Sequence, residues 1–185
     1  MRTVLTVRPG MRQVLAAKRL LAAVPRGWPK AASRAVNKTA GAARTRIVRE
    51  IAAETKLTPK YLRKRIWIRR ASYTRLEALV RIGGHEMPLI AFRARQTQKG
   101  VTYMVVRSRG RQLMAGAFIA TMPMGHKGVF KRRGAKRLPI DEQYSQSLQD
   151  IYADAPGLAR RIIAETSGML EKNLWTQIHL ILEAA

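Results

Sequence analysis

The chain has 185 residues, of which 46% are apolar and 25% charged, so it is long enough for one domain with a hydrophobic core. It contains no cysteine, which excludes a disulfide framework, thiol catalysis and cysteine-ligated zinc. The net charge is +25 and one-sided: residues 1–140 carry 33 basic and 4 acidic side chains, whereas residues 141–185 carry 3 basic and 7 acidic ones. Such a charge distribution favours polyanions or acidic protein surfaces as partners.

The N-terminal segment predicts a short arm and a short helix. Residues 2–7 alternate polar and apolar side chains and end at Pro9-Gly10, a pattern typical of a strand or an extended arm. Residues 11–24 are rich in Ala and Leu and precede Pro25, which predicts a helix that ends there. We therefore expect residues 1–28 to form an N-terminal arm and a short helix, and the arm could become ordered on a neighbouring molecule.

A longer helix is expected from about Pro29 to Thr55. Its apolar residues recur at spacings of three and four and form one face, while basic residues occupy much of the rest. Gly41 weakens this helix by about 1 kcal/mol relative to Ala, so we expect a packing contact or a bend there. Thr58 and Pro59 then predict the start of a short basic helix, with Thr58 as its N-cap.

The middle of the chain changes to short β-rich runs. Glycines and prolines separate these runs, as expected for strands joined by turns. The sequence therefore predicts an α+β fold with N-terminal helices, a central antiparallel sheet of four to six strands and a long C-terminal helix. The expected strands are 66–68, 74–82, 89–92 and 101–106, with two further candidates at 115–121 and 128–131.

The C-terminal part carries most of the acidic residues and predicts two helices. The first spans residues 141–152, with Asp141 and Glu142 in its first turn, where negative charge is favourable. Asp154 is expected to cap a final helix that continues to residue 182, with Pro156 in its first turn.

The chain shows no internal repeat and no long linker. We assign residues 29–152 to a core domain and residues 153–185 to a helix packed on that core or on a neighbouring subunit. No segment approaches the roughly 20 apolar residues that a membrane span needs, so we expect a soluble protein made in the cytoplasm, with no membrane partner.

No arrangement of residues predicts catalysis, a cofactor or a metal. The histidines His85, His126 and His179 lie on separate predicted elements, and each is expected to be an ordinary surface or structural residue. Glu50 and Glu54 are expected to pair with arginines of their own helix. The sequence also lacks a phosphate-binding loop and a dinucleotide fingerprint. We therefore expect a protein that is not an enzyme and that needs no cofactor.

Two dense basic runs are the strongest features of the sequence. Residues 60–70 and 127–137 each have six Lys or Arg in eleven positions, and such runs neutralise phosphates without reading base sequence. Trp67 lies between two isoleucines and is expected in the core, with stacking on a single-stranded base as the alternative. The candidate DNA-facing or acidic-partner-binding residues are Lys60, Arg63, Lys64, Arg65, Arg69, Arg70, Lys127, Lys131, Arg132, Arg133, Lys136 and Arg137.

Three short segments give the sequence a family resemblance. Residues 114–122, 125–132 and 137–140 contain Gly-Ala-Phe-Ile-Ala, Gly-Val-Phe-Lys-Arg and Leu-Pro-Ile in this order. The arrangement resembles phage minor tail protein Z and related tail-completion proteins, and residues 35–40 and 51–57 also look like parts of the family's sequence. The resemblance covers roughly residues 30–152, and the segments look like determinants of the fold rather than a catalytic signature.

The resemblance implies a structural role in the virion of a tailed phage, at the neck. Proteins of this kind look like homo-oligomeric rings, expected to be sixfold, at the head-proximal end of the tail. The implied partners are the tail terminator protein, the head connector protein and, through non-specific contact, the genomic DNA. Basic loops lining the channel would attract DNA, although a channel that passes DNA quickly should not bind it tightly, so part of the charge could serve subunit contacts.

Two other classes of function stay open at this point. A stand-alone nucleic-acid-binding protein would account for the basic runs, although the sequence has no helix-turn-helix, zinc-finger or RNA-recognition signature. An enzyme such as a nuclease is the least favoured class, because metal-dependent cleavage usually needs clustered carboxylates and the sequence does not cluster them.

Overall fold

The computed structural model describes residues 2–55, 57–155 and 157–184, and side chains from residue 5 onward. Its described part combines five α-helices with eleven short β-strands, which confirms the α+β class. The chain divides into two compact units. The first, here the helical unit, comprises residues 1–48, 65–82 and 155–185, and the second, here the β unit, comprises residues 49–64 and 83–154.

The helical unit contains a three-stranded antiparallel sheet in the order β1-β3-β2. Successive side chains of a strand point to opposite faces of the sheet, so apolar residues two positions apart lie on the same face and are buried together. Val7, Val80 and Ile66 lie on the buried face. The strands are β1 (Arg2–Val7), β2 (Ile66–Arg69) and β3 (Ala78–Ile82), and the helices of this unit include α1 (Met11–Leu20), the greater part of α2 (Gly27–Glu54) and α5 (Leu158–Leu182).

Helix α2 confirms the long helix that the apolar periodicity predicts. Ala32, Val36 and Ile47 are all fully buried. A Cβ added at Gly41 would meet no atom within 4 Å, so the expected packing contact is not found at this position. Thr39 donates a hydrogen bond to the carbonyl of Ala35 and accepts one from Asn173 Nδ2 of α5 at 2.9 Å.

Helix α5 confirms the long C-terminal helix, but its start differs from the prediction. Its N-cap is Gly157 in the left-handed conformation, whereas Asp154 is the last residue of the preceding helix, so Asp154 does not cap α5. Pro156 lies outside the described residues. The buried stripe of α5 repeats every four residues and packs within the helical unit, near β1. Its members are Leu158, Ile162, Thr166, Leu170, Leu174, Ile178 and Ile181.

The β unit holds three small antiparallel sheets in place of part of the predicted central sheet. Their orders are β5-β6-β7, β10-β9-β8 and β11-β4, so the described strands of the whole chain form four sheets of two or three strands. The strands are β4 (Glu86–Pro88), β5 (Arg95–Thr97), β6 (Gly100–Tyr103), β7 (Gln112–Ala115), β8 (Ala117–Thr121), β9 (Lys127–Arg132), β10 (Ile140–Glu142) and β11 (Tyr144–Ser147). Two short helices complete the list, α3 (Pro59–Arg65), whose last residue falls in the helical unit, and α4 (Leu148–Asp154).

Two segments of the β unit differ from the predicted secondary structure. Residues Leu89–Phe92 form a 3-10 helix instead of a strand, and Leu89 and Phe92 are buried three positions apart, as a three-residue turn requires. A buried apolar run this short does not distinguish the two conformations from sequence. Asp141 and Glu142 lie on strand β10 and not in a helix, because this segment pairs antiparallel with β9, where Asp141 is opposite Lys131 and Glu142 is opposite Phe130.

Gly100 has a backbone position that leaves no room for a side chain. Its φ is +146°, and a Cβ there would lie 2.1 Å from the carbonyl oxygen of Met114 on the neighbouring strand. Gly116 also has a positive φ, of +70°, but open space surrounds it, so its requirement is conformational and no backbone approaches it closely. In the part of the chain that the structure describes, no helix is long and apolar enough to cross a membrane.

Candidate functional site

The second basic run lies on the β9–β10 hairpin of the β unit. Lys127, Lys131 and Arg132 belong to β9, and the remaining three residues lie in the connection that leads to β10. All six side chains of this run are exposed, in contrast to Val129 and Phe130 between them, which are buried. The hairpin therefore presents its cations from a strand whose centre is fixed in the core.

Arg133 closes the base of this hairpin connection. Its backbone N–H donates to the carbonyl of Pro139 at 3.2 Å, and its guanidinium donates two hydrogen bonds to Asp141, at 2.7 and 2.8 Å. The hydrogen bond from Arg133 lowers the pKa of the Asp141 carboxyl, and the same bond raises the pKa of Arg133. A two-pronged pair of this kind fixes geometry as well as charge.

Arg132 is also engaged within the hairpin region. Its guanidinium carbon lies 4.9 Å from the ring centroid of Phe118 on β8, and that ring is tilted against Phe130 at 6.3 Å. Arg132 and Arg133 therefore have intramolecular roles. The other four cations of the run are free to meet a partner in the described structure: Lys127, Lys131, Lys136 and Arg137.

A hydrogen-bonded group surrounds Glu142 at the turn between β8 and β9. His126 Nε2 lies 2.9 Å from one carboxylate oxygen, and the Tyr144 hydroxyl donates to the other at 2.8 Å. The bond to Glu142 raises the pKa of Tyr144. Among the described residues no group of three or more His, Cys, Asp or Glu is placed to hold a metal ion.

The first basic run occupies α3 and β2. Thr58 Oγ1 accepts from the N–H of Tyr61, which confirms Thr58 as the N-cap of α3. Lys60, Arg63 and Lys64 are exposed residues of this helix, Arg65 is partly buried at its end, and Arg69 and Arg70 are exposed at the end of β2. The run crosses from the β unit into the helical unit after residue 64.

Trp67 lies outside the core, so its predicted burial is wrong. It is 42% exposed, whereas Ile66 beside it is fully buried. The alternation of β2 places Trp67 and Arg69 on the open face of the sheet. The alternation in Ile-Trp-Ile-Arg is the sequence feature that predicts this orientation, because in a strand it places the tryptophan on the face opposite to both isoleucines.

A third basic region lies on the β5-β6-β7 sheet and its connections. Its cations are spread over nineteen positions rather than concentrated in one run, so they do not stand out in the sequence. The sequence feature that could have revealed this region is the lack of acidic residues, since residues 87–140 contain twelve Lys or Arg and no Asp or Glu. Its members are Arg93, Arg95, Lys99, Arg107, Arg109 and Arg111.

These features define a basic α+β protein that offers charged surfaces to a partner. The chain belongs to the prophage minor tail protein Z family, whose sequence model matches residues 12–183. This confirms the resemblance and extends it beyond residues 30–152 in both directions. The chain is similar to the tail completion protein of Escherichia phage N15, with 28% identity over 121 residues, 61% of this chain and 65% of that protein. The aligned region thus spans slightly less than two thirds of the phage N15 protein, and no solved structure matches.

Proposed function

We propose that this chain is a structural tail-completion protein of a tailed phage. In this proposal it forms a homo-oligomeric ring, expected to be sixfold, at the head-proximal end of the tail. The ring joins the tail terminator to the head connector and surrounds the genome channel. The match to the minor tail protein Z family over residues 12–183 is the observation that carries the proposal.

The basic surfaces support the DNA-facing part of this proposal. Lys127, Lys131, Lys136 and Arg137 project from a hairpin whose core residues are buried and whose base is closed by Arg133 and Asp141. Fixed cations of this kind attract phosphate without reading sequence, which suits a genome of arbitrary base composition. Further residues proposed to face DNA or an acidic partner are Lys60, Arg63 and Lys64 in the β unit and, separately, Arg65, Arg69 and Arg70 in the helical unit.

The C-terminal helix is proposed to contribute to subunit contacts. Its buried stripe packs within the helical unit, yet Ile163, Trp175 and Leu182 remain exposed on its outside. These side chains are available to a neighbouring subunit, whereas the inner stripe is not. The proposal assigns no catalytic step to any residue and requires no cofactor.

Localisation in the virion tests the proposal directly. Cryo-electron microscopy of the neck is expected to show a ring of this protein between the tail terminator and the head connector. Phage that lacks the protein should make tails that fail to join filled heads. Normal joining and normal infectivity without it would refute the structural role.

A charge-matched pair of variants tests the DNA-facing hairpin. Replacing Lys127, Lys131, Lys136 and Arg137 by Gln is expected to reduce infectivity while leaving the ring intact. Removing the same charge from Lys18, Arg19, Lys30 and Arg34, all exposed in the helical unit, should have a smaller effect. Equal effects would show that total charge matters and that the hairpin has no special place.

A stand-alone nucleic-acid-binding protein is the alternative, and the net charge of +25 favours it. It predicts binding to DNA or RNA at physiological salt with a submicromolar Kd and no association with tails. Absence of the protein from mature virions, together with such binding, would favour this alternative.

A further inference from the structure

The open face of the sheet in the helical unit combines an aromatic ring with arginines. Trp67 on β2 is the direct cross-strand partner of Arg81 on β3, and Arg69 is the partner of Leu79. Residues opposite each other, and residues two apart on one strand, share a face. Trp67, Arg69 and Arg81 therefore form one surface, and β2 is an edge strand, so the side of this surface beyond Trp67 is not covered by another strand.

The loop that follows β2 adds a second exposed ring in a fixed position. Tyr73 is 56% exposed at its tip. Asn37 of α2 holds the start of the loop by donating to the carbonyl of Ala71 at 3.0 Å and accepting from its N–H at 2.8 Å. Arg75 donates to the carbonyl of Arg70 at 2.9 Å, across the loop. The loop is thus ordered by the protein itself, and little ordering is left for a ligand to impose.

The charges of this surface are uncompensated. Residues 57–76 contain no Asp or Glu. Within the part of the chain that the structure describes, no carboxylate forms an ion pair with Arg69, Arg70 or Arg81. The carboxylate nearest in sequence, Glu77, is partly buried just before β3. An anionic ligand would therefore meet these guanidinium groups without displacing a protein partner.

We propose that the β2–β3 hairpin binds single-stranded nucleic acid, with Trp67 stacked on an unpaired base and Arg69 and Arg81 against the phosphates. Basic surfaces with exposed aromatic rings bind single strands because every base offers a flat face for stacking. A duplex hides those faces in its interior, so Trp67 distinguishes the two forms. The inference deepens the proposed DNA-facing role of the first basic run and names the form of nucleic acid that this part of it binds.

Binding of the full chain to a fluorescein-labelled dT oligonucleotide, and to a duplex of the same length, tests the inference. Trp67→Ala is expected to weaken binding to the single strand at least about fivefold, since stacking contributes about 1–3 kcal/mol per base. Trp67→Phe should retain most of the affinity. Leu15→Ala provides the control, because Leu15 is a large apolar side chain that is 54% exposed on α1, outside the proposed surface.

Salt dependence separates the arginine contacts from stacking. Arg69→Ala with Arg81→Ala should reduce the slope of log Kobs against log salt by about 1.4, at about 0.7 for each contact to a single strand. Circular dichroism and thermal unfolding verify that each variant is folded before its affinity is compared.

Three results would overturn the inference. Equal affinities of the Trp67→Ala and Leu15→Ala variants would exclude stacking. Equal losses for single strand and duplex would show that only phosphates are recognised, and the DNA-facing role would survive while this inference fails. If polyglutamate displaces the oligonucleotide, and if Trp67→Ala also weakens the binding of polyglutamate, the partner of this surface is an acidic protein. Each outcome is independent of tail assembly, so failure of the ring proposal would leave the test intact.

Discussion

Arg133 and Asp141 face each other across the base of the β9–β10 connection, joined by two hydrogen bonds of 2.7 and 2.8 Å. The backbone of Arg133 is held as well, through the carbonyl of Pro139. One cation of the basic run therefore serves to position the others. Lys136 and Arg137 lie in the loop that this contact closes, so their spacing depends on a carboxylate that is itself the first acid after residue 86.

Asp141→Asn should make the hairpin less stable at neutral pH and should remove part of the acid dependence of folding. The bond from Arg133 lowers the pKa of Asp141, so its contribution is present above the unfolded pKa, near 4, and is lost as pH falls through the folded value. Thermal unfolding of wild type and variant at several pH values measures this. The two Tm values should converge below a pH of about 4.

Asp154→Asn is the control for this experiment, because Asp154 is exposed at the end of α4 and has no hydrogen bond within the described residues. Its Tm should follow wild type at every pH. A constant Tm difference between Asp141→Asn and wild type from pH 7 to the acid range would contradict the proposed linkage.

Gly100→Ala should destabilise the β5-β6-β7 sheet by more than about 3 kcal/mol. The φ of +146° alone costs about 1–3 kcal/mol for a residue with a Cβ, and the overlap with the Met114 carbonyl forces the strands apart in addition. Urea unfolding measures the change. Gly157→Ala, at a left-handed φ of +68° and ψ of 0° with open space around it, should cost only about 1–2 kcal/mol. Equal costs would show that the overlap relaxes freely.

Gly41→Ala should raise the free energy of unfolding by about 0.5–1 kcal/mol. Gly41 lies inside α2, a Cβ there meets no neighbour within 4 Å, and Ala is the better helix former. The hydrogen bond from Thr45 to the Gly41 carbonyl involves only the backbone at residue 41 and should persist. Denaturant unfolding provides the measurement, and a loss of stability would mean that this position is filled by another molecule or that the helix bends there.

Asn37→Ala should lower stability by about 1–3 kcal/mol, because it removes two hydrogen bonds worth about 0.5–1.5 kcal/mol each. Hydrogen exchange gives the local measurement: the amide of Ala71 should lose its protection, whereas amides in the middle of α5 should change little. Unchanged protection at Ala71 would show that the loop after β2 does not depend on this side chain.

The sequence determined the helices better than the sheets. Helix α2 was predictable because twenty-eight residues repeat one apolar face many times, and the C-terminal helix for the same reason. The strands of the β unit are only three to six residues long, so each contains too few alternations to set its bounds, and pairing partners depend on contacts far along the chain. The family was recognisable because its shared segments are contiguous.

The acidic pair at residues 141 and 142 shows most clearly what could not be predicted from the sequence. Two neighbouring carboxylates suit the first turn of a helix, and they suit a strand equally well when cations lie opposite. Arg133 and His126 are the hydrogen-bonding partners here, and nothing local to Asp141 and Glu142 indicates that these side chains come close in space. Of the candidate site, the positions of the two runs were predictable, but the internal engagement of Arg132 and Arg133 was not.

The acid-free stretch from residue 87 to residue 140 has a consequence for how the surface responds to its surroundings. It carries twelve Lys and Arg side chains with no Asp or Glu among them. Dissolved cations compete with such side chains for the phosphates of a polyanion, so added salt weakens a contact of this kind. Magnesium and polyamines, which neutralise nucleic acid phosphates, would therefore lower the affinity of this surface for nucleic acid.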